Sequence, residues 1–189
     1  LSFDLAGSLR RLKPQKRAPP LLRRRAAELP IVAPPVVTGP PLLLDTTVYI
    51  DALQSRLPTE VEELLDLCQV NHSAIAVAEL SHAFGRLDPG HARTKATLAS
   101  IQAVIEAIPP HRLDSPSLEA TVEAGILAGL CARLRGLPGG GPQTLLNDAA
   151  LLLQARENGW RLLSRNIVDL DLLQQLAPGA AVLFYRQAP

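Results

Sequence analysis

Three acids in this chain sit where acids are costly. Asp45 ends the apolar run LLL at 42–44. Glu79 is the one charge in AIAVAEL, and Asp148 the one charge in LLNDAALLL. A buried, unpaired carboxylate costs several kcal/mol or changes its protonation state. Something must compensate each of them, and a shared divalent cation would serve all three at once. Asn166 and Asp169 follow a further apolar run, RLLS at 161–164, and add oxygen donors. Hard oxygen ligands without a His/Cys set favour Mg²⁺ or Mn²⁺ over Zn²⁺. Such a cation polarises a phosphodiester and lowers the pKa of its bound water. Successive spacings of 34, 69 and 18 or 21 residues do not by themselves select this chemistry.

Each residue also has a plainer reading. Asp45 suits a helix cap or a phosphate-attacking nucleophile as well as a metal ligand. As a nucleophile it would lack the second acid two residues on, where Thr47 stands. Glu79 and Asp148 suit salt bridges to arginine. Asn166 with Asp169 three residues later is ordinary helix-start chemistry. Ser164 can cap a strand end, and Arg165 can pair with phosphate or stay a surface cation. His72, His82, His91 and His111 have no ligand spacing, and Gly139–Gly141 lack the Lys-Ser/Thr that makes a phosphate-cradling loop.

The elements that must position these residues alternate between strands and helices. Strands are expected at 42–44, 70–75, 111–113, 161–164 and 180–185. Helices are expected at 48–54, from Thr59 onward with a Thr59/Glu62 capping box, at 76–84, at 91–108, from Ser115-Pro116 to about 134, at 144–158 and at 167–176. This order predicts an α/β fold, a parallel sheet of about five strands with helices on both faces. A carboxylate at the carboxyl end of such a strand stands where open α/β sheets bind ligands.

Charge divides the chain. Residues 1–41 carry eight basic and two acidic side chains, and eight of the 17 prolines. The remainder is net −5. We therefore read 1–41 as a basic, Pro-rich N-terminal arm and 42–189 as the folded domain. The arm suits a disordered tail, RNA backbone capture through counterion release, or docking onto a partner or neighbouring subunit. Hydrophobic residues make up 47% of the chain and aromatics only 3%, which argues against a β-sandwich. Cys68 and Cys131 are expected as buried free thiols. No run of about 18 apolar residues predicts a membrane span, and the arm lacks the apolar segment of a secretory signal, so a cytoplasmic location is expected.

LLLDTTVYID, SAIAVAEL and LLNDAALLLQARENGWRLLSRNIVDL, in that order, resemble the PIN-domain ribonucleases, most closely the VapC-type toxins of bacterial toxin–antitoxin pairs. The resemblance covers about 42–186 and not the arm. It implies a PIN-like three-layer fold and Mg²⁺- or Mn²⁺-dependent hydrolysis of RNA phosphodiester bonds. It implies metal ligation by Asp45, Glu79 and Asp148, support from Ser164, a cognate antitoxin and a homodimer. The chain departs from the pattern in three places. Asn166 replaces a frequent fourth Asp, with Asp169 as the nearby substitute; Ala76 replaces a frequent Ser or Thr; Thr47 replaces a frequent Asn. These departures keep a second reading open, a catalytically degenerate module that binds RNA or an antitoxin.

Overall fold

The computed structural model describes residues 3–137 and 143–188; the expected glycine loop at 136–143 falls largely outside them. Five strands form one sheet: β1 (Leu42–Leu44), β2 (Val70–Ser73), β3 (Leu113–Asp114), β4 (Arg161–Ser164) and β5 (Ala181–Phe184). Their spatial order is β3-β2-β1-β4-β5, and every pairing is parallel. The central strand β1 is apolar at every position because both of its faces are covered.

Alternate residues of the strands feed two separate cores. Leu43, Leu162, Val182 and Phe184 face one layer; Leu42, Leu44, Leu163 and Tyr185 face the other. The period of two in strand side chains produces this split. The first layer holds α1 (Leu5–Leu12), α6 (Leu118–Arg135), α7 (Gln143–Glu157) and α8 (Ile167–Leu176). The second holds α2 (Thr46–Leu53), α3 (Thr59–Leu67), α4 (Ala74–Arg86) and α5 (Thr94–Glu106). The result is the expected three-layer α/β architecture. Cys68 and Cys131 are buried and free, as expected.

Several local expectations need correction. The Thr59/Glu62 capping box does not form; Pro58 occupies the cap position and Thr59 is the first helical residue, because Pro58 brings no N–H and fixes the entry angle. The cap of α6 is Ser117, not Ser115: its side chain accepts from the Ala120 N–H at 3.0 Å, leaving Pro116 outside the helix. Residues 110–112 form a 3₁₀ turn, and the strand pairing starts only at Leu113.

The segment before β1 is packed along the body. Leu12 is fully buried in the first core, worth about 1.5–3 kcal/mol for a leucine side chain. Two buried acids of the body take arginine partners from this segment. Arg11 pairs with Glu123 at 2.6 Å, and Arg24 pairs with Asp171 at 2.5 Å. Farther along, the Val32 N–H donates to the Phe184 carbonyl and the Phe184 N–H to the Pro30 carbonyl, both at 2.8 Å, covering the outer edge of β5. Among the described residues no helix is long and apolar enough to cross a membrane.

Candidate metal and nuclease site

From β1 the chain moves outward through β2 to β3; it then returns to the other side of β1 to make β4 and β5. The reversal falls between β1 and β4, and ligands of open α/β sheets bind outside the carboxyl ends of the strands at such a point. Asp45 directly follows β1, and Ser164 ends β4.

Asp45 is 3% exposed and caps α2. One carboxylate oxygen accepts the Thr46 N–H at 2.8 Å. The other accepts the Thr47 hydroxyl at 2.6 Å and the Ser164 hydroxyl at 2.5 Å. Capping is thus realised, and it uses one oxygen only. Burial pushes the Asp45 carboxyl above its ordinary range, opposed by the Ser164 and Thr47 hydroxyls and reinforced by Glu79.

Asp148, on α7, is 8% exposed and its carboxyl is also raised, to about 8. Burial is the main cause, followed by the fields of Asp45, Asp169 and Glu79. Its Oδ2 accepts the Asn166 amide N–H at 2.9 Å. Glu79, half-buried on α4, accepts from the Thr46 hydroxyl and, at 2.6 Å, from the Asn147 amide. These contacts close a ring through side chains and adjoining peptides: Asp148, Asn166, Ser164, Asp45, Thr46, Glu79 and Asn147, back to Asp148.

The two further candidates are committed to other contacts. Asn166 caps α8, its amide oxygen accepting the Asp169 N–H at 3.3 Å. That bond fixes which end of the amide is oxygen and leaves the nitrogen for Asp148. Asp169 pairs with Arg135. Arg165 is drawn aside as well: its Nε donates to the fully buried Asp51 at 2.7 Å, while its backbone N–H reaches the Thr47 hydroxyl at 3.2 Å.

The donor set is all oxygen, and Asp45 and Asp148 are buried beside each other without a cationic partner among the described residues. In chemical kind it fits Mg²⁺ or Mn²⁺. In spacing it is open: among the described residues no three His, Cys, Asp or Glu side chains stand close enough to enclose a metal ion. Neutral hydroxyls and amides satisfy the acids instead.

Sequence reasoning missed four participants. Asp51 carried the signal used for Glu79 and Asp148, an acid inside an apolar stretch, TVYIDAL. It is fully buried and receives Arg165, Tyr185 and Gln187. Thr46 and Asn147 adjoin candidate acids, and their roles come only from the packing of α2, α4 and α7. Arg135 had no local signal.

No protein-family model matches the chain, and no curated protein matches it. Solved structures do. A chain of VapBC2 from Rickettsia felis, bound to a DNA fragment from their promoter, is 15% identical with a TM-score of 0.54, covering 79% of this chain and 100% of that one. A chain of DNA-bound VapBC from Salmonella typhimurium is 20% identical with a TM-score of 0.53, covering 77% and 98%. A chain of FitAB bound to an IR36 DNA fragment is 19% identical with a TM-score of 0.51, covering 76% and 94%. The fold of this chain is therefore the PIN-like α/β fold found in the VapBC and FitAB assemblies.

Proposed function

We propose that the chain is a metal-dependent endoribonuclease, the toxin component of a toxin–antitoxin pair. The observation that carries this is the burial of Asp45 and Asp148, joined through Ser164 and Asn166 and without a salt-bridge partner among the described residues, at the switch point of the sheet. Asp45, Glu79 and Asp148 would hold Mg²⁺ or Mn²⁺. When bound, the metal supplies an activated water and polarises the RNA phosphodiester. The chain's own residues orient the ligands. Thr47 and Ser164 fix one oxygen of Asp45, Asn166 fixes Asp148, and Thr46 with Asn147 fixes Glu79. Arg165, steadied by Asp51, keeps guanidinium donors for a phosphate oxygen. The two-component makeup of VapBC and FitAB supports a protein partner, an antitoxin, and the same reading includes a homodimer in the cytoplasm.

The test is cleavage of RNA by wild type and Asp148→Asn, with and without Mg²⁺ or Mn²⁺. The proposal expects metal-dependent cleavage by wild type and none by the variant; equal activity in the two overturns it. The open spacing of the acids and the amide at Asn166 favour one rival, a degenerate module that binds RNA or antitoxin without cutting. Metal-independent RNA retention with no cleavage would select that rival.

A further inference from the structure

The basic residues of the N-terminal segment do not all serve to fasten it. Arg10, Arg11 and Arg24 are spent on acids. Among the described residues Lys13, Lys16, Arg17 and Arg23 make no salt bridge. Arg17 is held against main-chain carbonyls of Leu12 and Leu176, at 3.2 and 3.5 Å. Arg133, from α6, in turn grips the carbonyls of Pro14 and Arg17, at 2.7 and 3.3 Å. These contacts fix the path of the segment and leave Lys13, Lys16 and Arg23 exposed and unneutralised.

Lys13, Lys16 and Arg17 line a depression of about 300 Å³ over the ends of α6 and α8. Arg23 and Arg135 line a second, of about 270 Å³. Leu21 belongs to both walls, so the two depressions adjoin along the surface. Arg135, in the wall of the second depression, holds Asp169, whose backbone N–H donates to the Asn166 side chain that in turn donates to Asp148. A line of cations therefore runs from the N-terminal segment to the acid cluster.

We propose that this groove is a phosphate track that guides single-stranded RNA to the candidate site. The identity of the strand rests on the ribonuclease reading above; the groove itself does not. Among the described residues no aromatic side chain lines it, so the contact is with the backbone rather than by base stacking, and is independent of sequence. Each depression is of small-ligand size, suited to one strand rather than a duplex. Of the three readings that the sequence leaves open for this segment, RNA backbone capture is the one selected, on a surface assembled by packing on α6 and α8.

The test uses the full-length protein in EDTA, so that binding is read without cleavage. A labelled single-stranded RNA is titrated across a salt series against wild type, Lys13→Gln/Lys16→Gln/Arg23→Gln, and an Arg86→Gln/Lys95→Gln control on the other helical layer. Lys13 lies at a left-handed position (φ 49°), so a Lys16→Gln/Arg23→Gln protein serves if the triple variant melts early. The triple variant is expected to bind roughly tenfold more weakly at low salt, and its log–log salt slope to fall by about 2, near 0.7 for each lost phosphate contact. The double variant is expected to show about two-thirds of that slope change, and the control no change. Affinity and slope equal to wild type in the groove variants, or no binding of RNA by wild type, overturns the proposal. Tighter binding of duplex DNA or polyglutamate at the same residues overturns the assignment to an RNA strand. If wild type fails to cleave RNA but the groove variants still lose binding, the track stands and the nuclease reading fails.

Discussion

Asn166 turns its amide nitrogen to Asp148, 2.9 Å from Oδ2, while its amide oxygen caps α8. Position 166 thus acts on the site as a hydrogen-bond donor, where a carboxylate would act as a fourth anion. The chain keeps a buried acid in place with a neutral partner.

Replacing that donor by an acid should therefore change stability and metal response in opposite directions. Asn166→Asp loses the amide hydrogen bond to Asp148 and adds a further carboxyl to the buried cluster, a loss of about 1–3 kcal/mol without metal. At roughly 2–4 °C per kcal/mol for a domain of this size, the metal-free melting temperature falls measurably. The rise in melting temperature on adding Mn²⁺ should be larger in the variant than in wild type. Calorimetric melts with and without Mn²⁺ check both; an unchanged or smaller Mn²⁺ response counts against the ligand role of Asp148.

The N-terminal segment should be part of the folding unit. Arg24 gives the fully buried Asp171 both its backbone N–H, at 2.8 Å, and its side chain. Removing one partner of a buried pair leaves an uncompensated charge. Arg24→Ala is expected to cost about 3 kcal/mol, the low end of that range because Arg24 is partly exposed. Denaturant melts of Arg24→Ala and of a protein lacking residues 1–41 check this, the truncation being the less stable. Wild-type stability in the truncated protein would show that the packing of Leu12, Arg11 and Arg24 contributes nothing.

Acid sensitivity should trace in part to Glu123. Burial pushes its carboxyl up, but Arg156 and Arg11 outweigh this and hold it below its ordinary value of 4.5. A depressed carboxyl stabilises the fold above the unfolded value and loses that contribution as pH falls through the folded one. Melting temperature should thus drop as pH is lowered below about 4.5, and the drop should be shallower in Glu123→Gln. Parallel curves for the two proteins would assign the acid limb elsewhere.

Asp51 should matter to activity without touching substrate. It receives Arg165, Tyr185 at 2.9 Å and Gln187 at 2.5 Å. Asp51→Ala leaves these donors unpaired, at a cost of about 1–3 kcal/mol, and frees Arg165 from its position. If Arg165 binds phosphate, RNA affinity in EDTA falls in Asp51→Ala and falls further in Arg165→Ala. A loss of stability with unchanged affinity in both would make the pair purely structural.

What the sequence reveals and what it hides follow from the range of the interactions. The elements at 42–44, 161–164 and 167–176 are legible because short apolar runs end at residues that stop or cap them, such as Asp45 and Asn166. The parallel character of the sheet follows from alternation of strands and helices, whereas its spatial order does not. The acids announce themselves by their apolar neighbours, a signal that Asp51, in TVYIDAL, shares with Glu79 and Asp148. The hydrogen-bond ring depends on how α2, α4 and α7 pack, so Thr46 and Asn147 gave no sign of their partners. The course of the N-terminal segment was hidden for the same reason: Arg11 meets Glu123 112 residues away, and Arg24 meets Asp171 147 residues away.

The central claim is that Asp45, Glu79 and Asp148 form one cation site although they do not enclose one by themselves. Anomalous scattering from crystals of the protein soaked in Mn²⁺ tests it most directly. The account predicts a peak within coordination distance of all three carboxylates, with those side chains drawn together and Arg135 still on Asp169. Saturating Mn²⁺ with no peak among them, or a peak held by other residues, would contradict it.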